Sequence, residues 1–216
     1  MDVAAGPPTR GIAQAADRER APVGRWRCAV PFADELSPDG VTVLAYQASW
    51  ADQAADLSGE LSRLVPDAVA VEHIGSTSIP GMAAKPCIDL MIIVDDLEAS
   101  SADPNLTRAG YRRRPEPWNN SEPADGRDWP KMVFAPPIGG PNCNIHVRPA
   151  GAGNTRRALL FRDYLIANPE KVALWSDLKR AAAASAPDLA GYGQIKLPAW
   201  TLLMECAERW AADTHY

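Results

Sequence analysis

The sequence predicts an α+β protein: a small mixed β-sheet with flanking helices and a helical C-terminal segment. Three observations lead to that class. Short apolar and β-branched runs, punctuated by Pro and Gly, fill residues 41–148. One amphipathic period stands early among them, and the last third carries helical periods with no strand between. At 216 residues, 46% hydrophobic and 23% charged, the chain can bury a conventional core as a single domain, predicted over residues 25–216.

The elements follow in order. Residues 1–24 are rich in Ala, Gly, Pro and Arg without an apolar period, which predicts a disordered tail. Short β-prone runs at 26–32 and 41–46 flank the turn Ser37-Pro38-Asp39-Gly40. Residues 48–64 predict a helix, because Trp50, Ala54, Leu57, Leu61 and Leu64 recur at spacings of three and four; Ser49 is its expected cap. A strand at 69–74, a Gly/Ser/Pro loop and a strand at 87–94 come next, the last so continuously apolar that it belongs inside a sheet. Residues 97–110 predict a helix that Pro104 interrupts or restarts, with Gly110 just past its end. Four prolines in 112–131 predict a long exposed loop with a ragged strand at its start. Strands at 131–135 and 142–148 form a pair in which His146 faces away from Ile145 and Val147. Helices are predicted at 155–168, 169–184 and 195–212, with Asn168-Pro169 as a boundary.

A formal net charge of -5 and a pI near 5.2 argue against nucleic acid as a partner while leaving room for a small anionic molecule bound locally. No apolar run approaches the roughly 20 residues that span a bilayer. The first residues lack the compact apolar segment of a secretory signal, so cytoplasmic residence is expected. Cys28, Cys87, Cys143 and Cys206 form no CxxC pair, the pattern of reduced, packed thiols. The run Arg112-Arg113-Arg114 reads as a solvated strand end.

The chemistry gathers around residues 73–94. Gly75 and Ser76 sit on a turn between two strands, where backbone amides and the hydroxyls of Ser76, Thr77 and Ser78 can cradle an anion, phosphate first and carboxylate second. Asp89 breaks an apolar strand, so it is either paired with Lys85 or Arg148, or is a metal ligand or general base whose pKa burial raises. His73 and His146 lie in strands at the same end, as packed residues or as proton-transfer groups. Lys85 precedes Pro86 in extended backbone that suits a phosphate contact. Arg162 and Asp163, adjacent on a helix, are expected to face different directions, leaving Arg162 to bind an anion. Tyr192 and Lys196, four apart, share a face that can close over the cleft. Trp118 and Trp129 anchor the Pro-rich loop or form a lid.

The run HIGSTSIPGMAAKPCIDLMIIV at 73–94 resembles the core motif of the GrpB family. Ile145-His146-Val147, Phe161-Arg162-Asp163-Tyr164-Leu165 with Asn168-Pro169, Leu178-Lys179, Tyr192 and Lys196 extend the likeness over about residues 41–205. The resemblance implies a nucleotidyltransferase-like fold, a nucleotide and Mg2+ as cofactors, and Asp89 as a metal ligand. In that superfamily Gly-Ser holds nucleotide phosphates, and an Asp-x-Asp pair with a third carboxylate binds magnesium. Here Cys87 falls on the first acidic position, Asp89 on the second, and His146 is the candidate for the third. Two expectations follow: a GrpB-like enzyme that uses a nucleotide or phosphorylated small molecule in nucleotidyl or phosphoryl transfer or ATP-dependent activation, or an altered fold acting as a non-transferase enzyme (acyl transfer, cyclisation) or ligand-binding accessory module.

Overall fold

A computed structural model describes residues 31–35 and 40–216. The expected tail at 1–24, most of the run at 26–32 and the turn residues 37–39 lie outside the described residues. Residues 41–46 form no strand; Leu44 makes a single antiparallel bridge to Ala84 through two hydrogen bonds of 2.8 and 2.9 Å. That bridge ties the chain before the first helix to the end of the 75–87 loop.

Helix α1 (Ser49–Leu64) buries Trp50, Ala54, Leu57 and Leu61, the stripe that its period requires. Its cap position is Ala48 rather than Ser49, and no side chain caps it. Strand β1 (Ala68–Ile74) runs antiparallel to β2 (Ile88–Val94), and β2 runs parallel to β7 (Cys143–Pro149). The main sheet has the order β1-β2-β7-β6-β3, with β6 at Met132–Ala135 and β3 at Arg112–Arg113. Central β2 is covered on both faces, which is why its sequence is apolar almost throughout.

The predicted helix at 97–110 contracts to α2 (Ala102–Arg108), with Pro104 in the first turn, where its missing N–H is not needed, and Gly110 beyond the end at φ 91°. The expected loop at 112–131 is more ordered than predicted. It contains the hairpin of β4 (Ser121–Ala124) and β5 (Arg127–Pro130), turned by Asp125 and Gly126 at φ 52° and 77°. Positive φ at both central residues is the hairpin turn that Asp-Gly favours. Glu122 fastens this hairpin to the sheet through Arg148, at 2.7 Å, and Lys131, at 3.3 Å. Arg148 is therefore not the partner of Asp89.

Helices α3 (Gly153–Ala167), α4 (Pro169–Ser185) and α5 (Leu189–Thr214) form the C-terminal segment. Helix α5 starts well before the expected residue 195 because the Asp188 side chain accepts a hydrogen bond from Gly191 N at 2.7 Å. One core lies between α1, α2 and one sheet face. A second joins the three C-terminal helices to Ile79 and Met82 of the 75–87 loop. Burying those two side chains contributes about 1.5–3 kcal/mol each, so the helices help to hold the loop in place. Trp129 donates to Ala124 O at 3.1 Å and so anchors its own hairpin. The observed architecture agrees with the expected small mixed sheet with flanking helices and a helical C-terminal segment.

Candidate functional site

At the end of β1 the chain must turn sharply and pass close to β2. Gly75 does this at φ 71°, and a Cβ placed on it would lie 2.5 Å from Asp89 Oδ2. Only glycine lets the turn approach the carboxylate this closely. Ser78 Oγ donates to Gly75 O at 2.7 Å, and Thr77, buried, shares a 2.9 Å hydrogen bond with His73 Nε2. Of the three hydroxyls expected to cradle an anion, two are therefore engaged in holding the turn. Among the described residues, that of Ser76 makes no hydrogen bond.

Sheet register then sorts the candidates. Asp89 stands opposite Ile74 and beside Asn144, while His73 stands opposite Leu90. Side chains alternate faces along a strand, so His73 lies on the sheet face opposite Asp89 and does not join it. His146 shares the face of Asp89, its Nε2 3.8 Å from Oδ1. Asn144 donates from Nδ2 to Asp89 Oδ1 at 3.1 Å and to Cys87 Sγ at 3.3 Å. Arg114, which can only donate, bonds Asn144 Oδ1 at 2.8 Å and thereby fixes the direction of that amide.

These partners decide the protonation of the group. Burial pushes the Asp89 carboxyl up, but the His146 imidazole beside it, the hydrogen bond from Asn144 and the charge of Lys85 pull it below its ordinary value. The expected upward shift is thus corrected, because partners from β7 outweigh desolvation. Burial lowers the His146 imidazole below its ordinary value despite Asp89. Among the described residues its Nδ1 is buried without a partner. Burial also lowers His73, and lifts the Cys87 thiol well above the usual range.

One residue that the sequence places in the family likeness, but not among the candidate site residues, lies close to this region. Lys179 lies on the stripe of α4 that buries Val172, Trp175, Ser176 and Ala182, and is itself only 1% exposed. The same face is docked on the loop, where Ser176 Oγ accepts from Ala83 N at 3.0 Å. Among the described residues Lys179 Nζ has no hydrogen-bond partner. Burial, together with the charges of Lys196, Arg180 and Lys85, lowers its pKa to about 6 against the opposing pull of Asp89. Lys196 comes from α5, its Nζ 4.3 Å from the centre of the Tyr192 ring, as their spacing predicts. Lys85 forms no ion pair among the described residues.

Arg162 behaves differently from its expected role. It donates to Glu72 and Asp163, both at 2.7 Å, and to His73 O at 3.0 Å. It is paired with Asp163 after all, since the long Arg162 side chain can bend to reach the short carboxylate at the adjacent helical position, and its donors clamp the end of β1. No group of three or more His, Cys, Asp or Glu side chains among the described residues is placed to hold a metal. Asp89 supplies one carboxylate, and its neighbours present N–H and S–H groups, so the donor set does not fit a pair of magnesium ions. No helix among the described residues is long and apolar enough to cross a membrane.

The family model described as GrpB protein matches residues 40–205. The UPF0157 protein YqkA of Bacillus subtilis is 39% identical over 153 residues, covering 68% of this chain and 41% of that protein. A Mycobacterium tuberculosis protein named dephospho-CoA kinase is 31% identical over 214 residues, covering 86% of this chain and 52% of that one. The chain thus spans about half the length of these relatives or less. The crystal structure of conserved protein GrpB from Enterococcus faecalis matches at TM-score 0.65 and 27% identity, over 78% of this chain and 99% of that one. With its model matched from the strand bridge at Leu44 to the middle of α5, this chain belongs to the GrpB family.

Proposed function

We propose that this chain binds a nucleotide or another phosphorylated small molecule between the 75–85 loop and helices α4 and α5, and uses it in nucleotidyl- or phosphoryl-type transfer or activation. The observation that carries this reading is Lys179: a lysine withdrawn from water, without a hydrogen-bond partner among the described residues, in the field of two further lysines and an arginine. A buried amine of this kind is costly unless an anion meets it. Gly75 and Ser76 provide the close turn, and Lys85, Lys179 and Lys196 provide the charge. Asp89, ionised and steered by Asn144 and His146, is the group to receive a proton from an acceptor hydroxyl. The word kinase in the name of the mycobacterial relatives agrees with phosphate handling, although that activity belongs to a protein about twice as long.

A second reading, a ligand-binding accessory module without turnover, is favoured by the single carboxylate. The two readings part on one experiment. Thermal unfolding with a panel of nucleotides should show stabilisation of about 2.7 kcal/mol at a hundredfold excess over Kd. Asp89→Asn should keep that stabilisation and lose turnover if the chain is an enzyme. Stabilisation without turnover by the parent chain would favour the module, and no stabilisation by any nucleotide would overturn nucleotide binding in either reading.

A further inference from the structure

We propose that the phosphate chain is bound here without a divalent metal, its charge met by Lys85, Lys179 and Lys196. This rests on the phosphate reading above and adds how the charge is balanced. Magnesium demands hard oxygen ligands in near-octahedral array, commonly one or two carboxylates with the substrate's own oxygens. Around Asp89 the positions that could extend that array are filled otherwise. The Cys87 thiol stays protonated and accepts from Asn144. Asn144 turns its amide nitrogen, not its oxygen, toward Asp89, because Arg114 holds the oxygen. His146 turns Nε2 toward the same carboxylate. These groups satisfy one charged oxygen; they do not build a second ligand set.

The complementary surplus lies around Lys179, whose Nζ is buried without a hydrogen-bond partner among the described residues. The charged groups that bear on Lys179 are Lys196 from α5, Arg180 from α4 itself, Lys85 from the loop and Asp89 from β2, three cations against one anion, with Arg180 also paired to Asp177 at 2.9 Å. A free polyphosphate balances that excess, whereas a magnesium complex carries less negative charge and brings a hydration shell that magnesium surrenders reluctantly. Because Lys179 has shed its proton at neutral pH in the free protein, an anion beside it restores the charge, and binding takes up a proton.

The test is calorimetric titration of inorganic tripolyphosphate into the full chain at pH 7.5, once with EDTA and once with saturating Mg2+. The expected result is binding in EDTA that weakens at least fivefold with magnesium, and an apparent enthalpy that changes with the ionisation enthalpy of the buffer. Lys179→Met should abolish the buffer dependence and weaken binding at least tenfold while remaining folded; Lys85→Met and Lys196→Met should each weaken it less. Binding that appears only with magnesium overturns the inference and leaves the phosphate reading standing. Absence of binding by tripolyphosphate and by every nucleotide under both conditions removes the phosphate reading, and this inference with it.

Discussion

Gly75 and Asp89 are in contact through the absence of a side chain: a Cβ at position 75 would fall 2.5 Å from Asp89 Oδ2 and 3.0 Å from Asp89 Cβ. The turn that carries Ser76 and the strand that carries the carboxylate are thus fitted to one another. Gly75→Ala must both strain a backbone at φ 71° and displace Asp89. The expected cost is about 2–4 kcal/mol by urea unfolding. A cost below about 0.5 kcal/mol, the range of neutral surface changes, would show that the turn is not held against the carboxylate.

Lys179 gives the protein a distinctive pH signature. Its pKa is about 6 in the folded chain and near 10.5 when unfolded, so between those values the unfolded state binds the extra proton. Stability from this group therefore rises with pH from about 6 to 10, by up to about 1.4 kcal/mol per pH unit. Lys179→Met removes that slope and is expected to be neutral or stabilising at pH 7, by about 1–2 kcal/mol, as substitutions at functional sites often are. The difference between the two stability curves across pH is the measurement.

Arg162 is expected to act as a clamp. Arg162→Ala frees the end of β1 from α3 and leaves Glu72 and Asp163 without their cation, at a cost of about 2–3 kcal/mol. Amide exchange at 72–76 should quicken, while nucleotide affinity of the folded molecules falls less than tenfold. A larger loss of affinity with unchanged stability would make it a ligand contact instead.

Glu122 holds the hairpin to the sheet from a buried position. Glu122→Ala leaves Arg148, 5% exposed, without its carboxylate, and the expected cost is about 3–5 kcal/mol by chemical denaturation. The amides of β4 and β5 should lose protection first.

Much of this arrangement is legible in the residues themselves. The continuous apolar run of β2, the alternation that isolates His146 and the periods of α1 and α4 each report a local rule. The hairpin at 121–130 is not, because Pro123 and Pro130 mask its strands and only Asp125-Gly126 betrays the turn. The downward shift of Asp89 comes from His146 and Asn144 on β7, the latter 55 residues away, which no local pattern contains. Lys179 enters the sequence reading only through the family likeness, and its burial is not read because α4 is rich in alanine and its buried stripe is short of large apolar residues. One sequence sign exists: a lysine three residues after Ser176 and seven after Val172, on the face that the period places inward.

The central claim, that Lys179 awaits a phosphate, is tested most directly by magnetic resonance of lysine side chains labelled at Cε and Nζ. Titration of the free chain should show one lysine with a pKa near 6, absent from Lys179→Met, and saturation with ATP or tripolyphosphate should raise that value by at least one unit. A Lys179 resonance that titrates near 10 in the free chain, or is unmoved at saturation, would contradict the account.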